Sequence, residues 1–268
     1  MLTYQKMSEY MLLTKDFHRD AAITSKADAS GKKTFLFLFK VAALVALISF
    51  AGFAAISYYK HPVAVISGIS MLPNYTQDDV YVTTRVFSTP ERFRVVLFDS
   101  DGIDNPTANS LREKIKVKGN FAKRVIGVPG DIIEMSLDTG LLIKINDLDV
   151  SHSADLTKPT FDVVDSKDIS VMVPALYLNE KIGNETHAIY ALSTPKSKMT
   201  PSQLKMIEDS IIPISTEALN ANVTGDIARF TVPKGHLFLV SDNRVDGLDS
   251  RQLGFVPVNS VISVFEEK

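Results

Sequence analysis

The chain has 268 residues, 45% of them hydrophobic and 22% charged, enough to bury a core in one or two domains. Its 29 Lys and Arg against 31 Asp and Glu give a formal charge of -2, so no global positive field holds nucleic acid through its phosphates. Cysteine is absent, which excludes a disulfide scaffold, thiolate metal sites and a cysteine nucleophile.

Residues 1–34 are mostly polar, with six Lys or Arg and four Asp or Glu, unlike an acid-poor organelle transit peptide. An apolar segment follows, FLFLFKVAALVALISFAGFAAISYY, residues 35–59, with Lys40 as its one charge. Val41 to Tyr59 is an uncharged run of 19 residues, about 28 Å long as a helix. With the FLFLF stretch it spans a bilayer, and Lys40 reaches the nearer headgroups. A buried core helix and a cleaved secretory signal share this pattern. The polar residues ahead of it and its length favour an uncleaved signal anchor. Lys26, Lys32, Lys33 and Lys40 precede or begin the segment and Lys60 alone follows at once. The positive-inside rule then puts residues 1–34 in the cytoplasm and 60–268 outside.

From His61 onward, short β-branched and aromatic runs alternate with turn residues. HPVAVISG, VYVTTRVF, RFRVVLFD, KIKVKG, FAKRVIGV, DIIEM, LLIKIN, SVMV, ARFTV, HLFLV and VISVF all read as strands. The spacing predicts a mainly β domain with long loops. One helix is expected: Thr200-Pro201-Ser202-Gln203 offers a capping box with proline at the first helical position, and Pro213 ends the pattern. The polar stretch 147–228 reads as a loop-rich insertion or cap subdomain.

Three clusters bear on chemistry. In Ser67-Gly68-Ile69-Ser70-Met71-Leu72-Pro73 a strand runs into glycine, serine and a proline turn. Ser70 fits both a turn serine and a nucleophile held at a rigid strand end. In Phe121-Ala122-Lys123-Arg124-Val125 a two-residue period puts Lys123 on one face with Phe121 and Val125, and Arg124 on the other. Lys123 is either a strand-edge lysine reaching solvent or a desolvated amine able to act as a base. The loop Ser241 to Gly254, SDNRVDGLDSRQLG, packs three aspartates, an asparagine and two arginines after HLFLV. It lacks the spacing of a calcium loop. His236 sits at the far end of HLFLV from Asp242, which makes a Ser70–His236–Asp242 triad a poor fit.

Together these clusters resemble the type I signal peptidases. That family carries a G-x-S-M-x-P-T box, a K-R-x-x-G-x-P-G-D box and a G-D-N-x-x-x-S-x-D-S-R-x-x-G box after a membrane anchor. Here they read GISMLPN, KRVIGVPGD and SDNRVDGLDSRQLG, in the same order. The resemblance implies a signal-peptidase-like β catalytic domain with an inserted cap. It implies a Ser–Lys dyad, with Ser70 as nucleophile, Lys123 as general base and the Ser70 N–H as oxyanion donor. Asp242 and Asn243 would shape the site, and Asp249 and Arg251 would brace it. The strand Val63, Ala64, Val65, Ile66, Ser67, Gly68 would bind substrate as an added strand, selecting small residues before the cut. The implied partners are signal peptides of exported preproteins and the lipid bilayer, with no metal or cofactor and no nucleic acid. The place would be the cytoplasmic membrane of a bacterium.

Four positions depart from that pattern. Asn74 replaces Thr, Ser241 replaces the first Gly of the third box, and Arg94 stands where many members have Asp. Gly247 replaces a serine that often contacts the catalytic lysine, which leaves Lys123 to be oriented by other groups or by water. These departures keep two alternatives open: a peptidase dedicated to a pilin or conjugation substrate, and a non-catalytic membrane assembly subunit.

Overall fold

The computed structural model describes residues 34–86, 88–115, 119–164 and 170–266. The N-terminal tail and its proposed cytoplasmic location fall outside them, save Thr34. The chain divides into two compact units, residues 1–59 and 60–268. In the first, helix α1 (Thr34–Lys60) is long and apolar enough to cross a membrane. Its Phe, Leu and Ile side chains are exposed.

The second unit is mainly β. In chain order it holds β1 (Val63–Val65), β2 (Val80–Arg85), β3 (Val95–Asp99), helix α2 (Pro106–Ile115), β4 (Asn120–Gly127), β5 (Ile132–Ser136) and β6 (Leu142–Ile145). Next come β7 (Leu148–Ala154), β8 (Phe161–Val164), β9 (Met172–Ile182), β10 (Glu185–Leu192), helix α3 (Pro201–Ser210) and β11 (Asn222–Thr224). The chain ends through β12 (Ile227–Thr231), β13 (His236–Val240), helix α4 (Ser250–Leu253), β14 (Val256–Pro257) and β15 (Val261–Phe265).

Two sheets result. The first runs β1-β2-β15-β3-β4-β13-β14, and the second β10-β9-β7-β6-β5-β12-β11 with β8 added on β9. In the first, β4 lies between β3 and β13, pairing Val96 with Lys123 and Val240 with Arg124. Val96, Phe98, Val125, Leu237 and Leu239 form its core with Ala108 of α2 and Leu253 of α4. Ile133, Met135, Ile145, Phe230 and Phe238 form the second core.

Two local readings change. The run KIKVKG, expected as a strand, begins inside α2. Asn105 starts that helix, its Oδ1 accepting from Ala108 N at 2.8 Å, and Pro106 takes the first helical position. Residues 116–118 of that run lie outside the described residues. The stretch 147–228, expected as loop-rich, supplies β7 to β11, with β7 laddered on β6. Polar residues on the outer face hide these strands, as in β7, where no residue is fully buried. Helix α3 forms as expected, with the Thr200–Gln203 capping box closed in both directions.

Candidate active site

Ser70 follows β1 through a tight turn. Gly68 sits at φ +94, a conformation that L side chains rarely adopt, and this sets the direction in which Ser70 leaves the strand. Met71 is buried behind it, and Asn243 N donates to Ser70 O at 2.9 Å. The serine is thereby fixed from its own loop and from the loop after β13.

Lys123 comes from the centre of β4 and is 2% exposed. Its Nζ donates to Ser70 Oγ at 2.8 Å and lies 5.6 Å from the Phe121 ring centroid. Desolvation dominates its proton affinity: burial pulls the pKa down to about 8. Asp249 pulls the other way, Arg251 reinforces the fall, and Asp242 and Asp246 oppose it. Of the two readings open for this lysine, a buried amine is the one the fold adopts.

Asp249 is fully buried and caps α4. Burial alone would raise its pKa, but the Arg251 charge, the hydrogen bonds from Arg251 and the Ser241 amide outweigh that and hold it at about 2. Arg251 binds both Asp249 oxygens, at 3.0 and 2.9 Å, and donates to Arg244 O at 3.0 Å. Bidentate pairing of this kind fixes orientation as well as charge. It locks the loop between Ser241 and Gly254 against the end of β13.

Asp242 and Asn243 stabilise the neighbouring backbone. Arg124, on the opposite face of β4 from Lys123, grips Asp242 through Nε and Nη2 at 2.7 and 2.6 Å. Asn74 donates to the same carboxylate and to Ala188 O, both at 2.7 Å. The departure at Asn74 therefore fills a specific place, tying the Ser70 loop to β10. Arg94 reaches Phe265 O at 3.1 Å, away from the dyad. Of the implied substrate-binding residues, Val63 to Val65 form the edge of the first sheet. Ala64 and Ile66 point inward, while Val63 and Val65 are exposed.

A second buried cluster escapes the sequence pattern. Glu180 of β9 accepts from Arg244 Nη2 and meets His152 Nε2 at 2.9 Å and His187 Nε2 at 3.0 Å. Burial opposes its ionisation, yet Arg244 and the two histidines hold it well below the usual carboxylate range. Glu180 and its three partners lie on four separate segments, so no local spacing marks them. Among the described residues, no group of three or more His, Asp or Glu is placed to hold a metal ion.

The model of the family "Signal peptidase, peptidase S26" matches residues 36–266. The chain belongs to this family. Signal peptidase I of Buchnera aphidicola subsp. Baizongia pistaciae is 27% identical over 188 residues, covering 65% of this chain and 54% of the relative. Signal peptidase I of Bacillus caldolyticus is 22% identical over 207 residues, covering 74% and 73%. The chain spans about half the length of the two Buchnera relatives it matches, 54% and 46%. A crystal structure of a signal peptidase I from Enterococcus faecalis V583 aligns at 21% identity and a TM-score of 0.28, over 67% of this chain and 98% of that one. Within this family member the three sequence boxes converge in space: Lys123 meets Ser70, and the third box holds the Ser70 backbone through the Asn243 amide.

Proposed function

We propose that this chain is a membrane-anchored serine endopeptidase that removes signal peptides from exported preproteins, with Ser70 as nucleophile and Lys123 as general base. The observation that carries this is the 2.8 Å contact between a buried lysine and an accessible serine hydroxyl. A lysine brought to about 8 is partly neutral near physiological pH, and its lone pair can accept a proton.

Ser70 Oγ attacks the scissile carbonyl carbon while its proton passes to Lys123 Nζ. The Ser70 N–H stabilises the oxyanion. Collapse breaks the C–N bond, and Lys123 returns the proton to the leaving amine, the new N-terminus of the mature protein. Water then attacks the acyl-enzyme, giving a proton to Lys123, and the signal peptide leaves as a carboxylic acid with the proton returned to Ser70. The exposed edge at Val63–Gly68 would take the substrate as an added strand, with small side chains before the cut. α1 would anchor the enzyme, with residues 1–34 cytoplasmic and 60–268 outside, as the flanking lysines favour.

Ser70→Ala and Lys123→Ala should each abolish cleavage of a preprotein in membrane vesicles. Normal cleavage by either purified variant sinks the dyad. The dedicated-substrate alternative draws on Asn74, Ser241 and Gly247; full rescue of cells depleted of their housekeeping signal peptidase would count against it. Against the non-catalytic alternative stands the burial of Lys123, which makes no ion pair among the described residues and whose charge is costly to bury.

A further inference from the structure

Gly247 and Ser241 pack face to face beside the dyad. Gly247 has φ +139, and a Cβ placed on it would overlap Ser241 Oγ and come to 3.0 Å from Ser70 Cβ. The space between Ser241 and Ser70 is thus too small for a second side chain. Ser241 itself is fully buried, and its hydroxyl has no hydrogen-bond partner among the described residues. Leaving a hydroxyl dry and unpaired is costly, and replacing it by hydrogen or methyl would avoid that cost. Its backbone N–H, by contrast, is taken up by Asp249 at 2.8 Å.

The strand register says what this hydroxyl faces. β13 runs antiparallel to β4 with Leu239 opposite Val125 and Val240 opposite Arg124. One further step along that ladder sets Ser241 opposite Lys123, and directly opposed residues share a face. Lys123 in turn has spare donors: one N–H goes to Ser70 Oγ. A base must hold its lone pair toward the proton it takes, so its remaining N–H bonds need fixed acceptors.

We infer that Ser241 is a positioning residue for the dyad: its hydroxyl, unpaired among the described residues and on the Lys123 face, turns to accept from Lys123 Nζ and aims the amine at Ser70, and Gly247 lacks a side chain in order to leave room for it. This rests on the reading of Ser70 and Lys123 as catalytic. The charged groups acting on Lys123 are Asp249, Arg251, Asp242 and Asp246, and none of them changes in the variants below.

The test is steady-state cleavage of a peptide with Ala-x-Ala before the cut, by the full chain in detergent micelles, across a pH series. Ser241→Ala should lower plateau kcat about tenfold, leave KM unchanged and move the acid limb to lower pH, because the lost acceptor favoured the ammonium. Ser241→Gly should do the same. Ser241→Gly combined with Gly247→Ser returns a hydroxyl to the same space from the other side, and should be more active than Ser241→Gly alone. Wild-type kcat and an unmoved limb in Ser241→Ala overturn the inference. So does a double variant that melts like the wild type yet is no more active than Ser241→Gly. If Ser70→Ala still cleaves, the dyad reading fails first. If Ser70→Ala is dead while Ser241→Ala behaves as wild type, the positioning role alone fails.

Discussion

Two buried cationic clusters in this molecule are built on opposite plans. At Glu180, the guanidinium of Arg244 and two imidazoles converge on one carboxylate. At Lys123, the ammonium meets a hydroxyl, and the carboxylate of Asp249 is spent on Arg251. The first plan neutralises its charge and holds segments together. The second leaves a charge that desolvation makes easy to lose. Where a buried cation is paired, its proton is fixed; where its neighbour is a hydroxyl, its proton is available.

The largest expected effect tests the second plan. Lys123→Met should cut kcat/KM by at least about 100-fold. The same variant should melt about 2–4 °C higher at pH 7, since it removes a buried charge whose desolvation outweighs the attraction of the nearby carboxylates. Because the folded-state pKa lies at about 8, below the usual 10.5, the cost of burying the ammonium is full below pH 8. It fades as pH rises toward 10.5, so the gain in melting temperature should vanish there. A destabilised Lys123→Met would break the comparison.

Glu180→Ala should strand Arg244 without its carboxylate and cost about 3–5 kcal/mol in denaturant unfolding. Its folded fraction should keep the wild-type acid limb of kcat/KM, because Glu180 belongs to the structural plan. In the wild type, log kcat/KM should climb with pH and level off near 8, as Lys123 gives up its proton. Asp249 works in the opposite sense. Held at about 2, its contribution to stability is complete above its ordinary value of 3.8 and is lost as pH falls through about 2. Asp249→Asn should therefore flatten part of the acid unfolding curve. The smallest effect is a control on α3: Thr200→Ala removes a cap and should cost about 1 kcal/mol with no change in cleavage.

The parts of the fold that were legible in the sequence are those with local signals. The capping box of α3 needs only Thr200 and Gln203, and the alternation of β12 and β15 shows directly in their burial. Ser70 and Lys123 were found through contiguous boxes, although what joins them is a contact across 53 residues. Helix α2 carried a readable Asn105-Pro106 start that the β-branched residues after it masked. Glu180 was illegible because its partners come from β7, β10 and the loop after β13, and only the sheet order brings them together. Ser241 and Gly247 each look like a loss in the linear pattern. Their packing against each other appears only when the loop closes over the end of β13.

A guest strand laid on the β1 edge would expose only part of its sequence to the protein. The buried residues of β1 alternate with exposed ones, Ala64 inward and Val63 and Val65 outward. Any chain laid along it presents every second side chain to the protein and the others to the surroundings. Backbone hydrogen bonds would supply grip without regard to side-chain identity. An edge of this kind discriminates sparsely, at a few alternate positions. It leaves the rest of a guest segment free to drift without loss of fit.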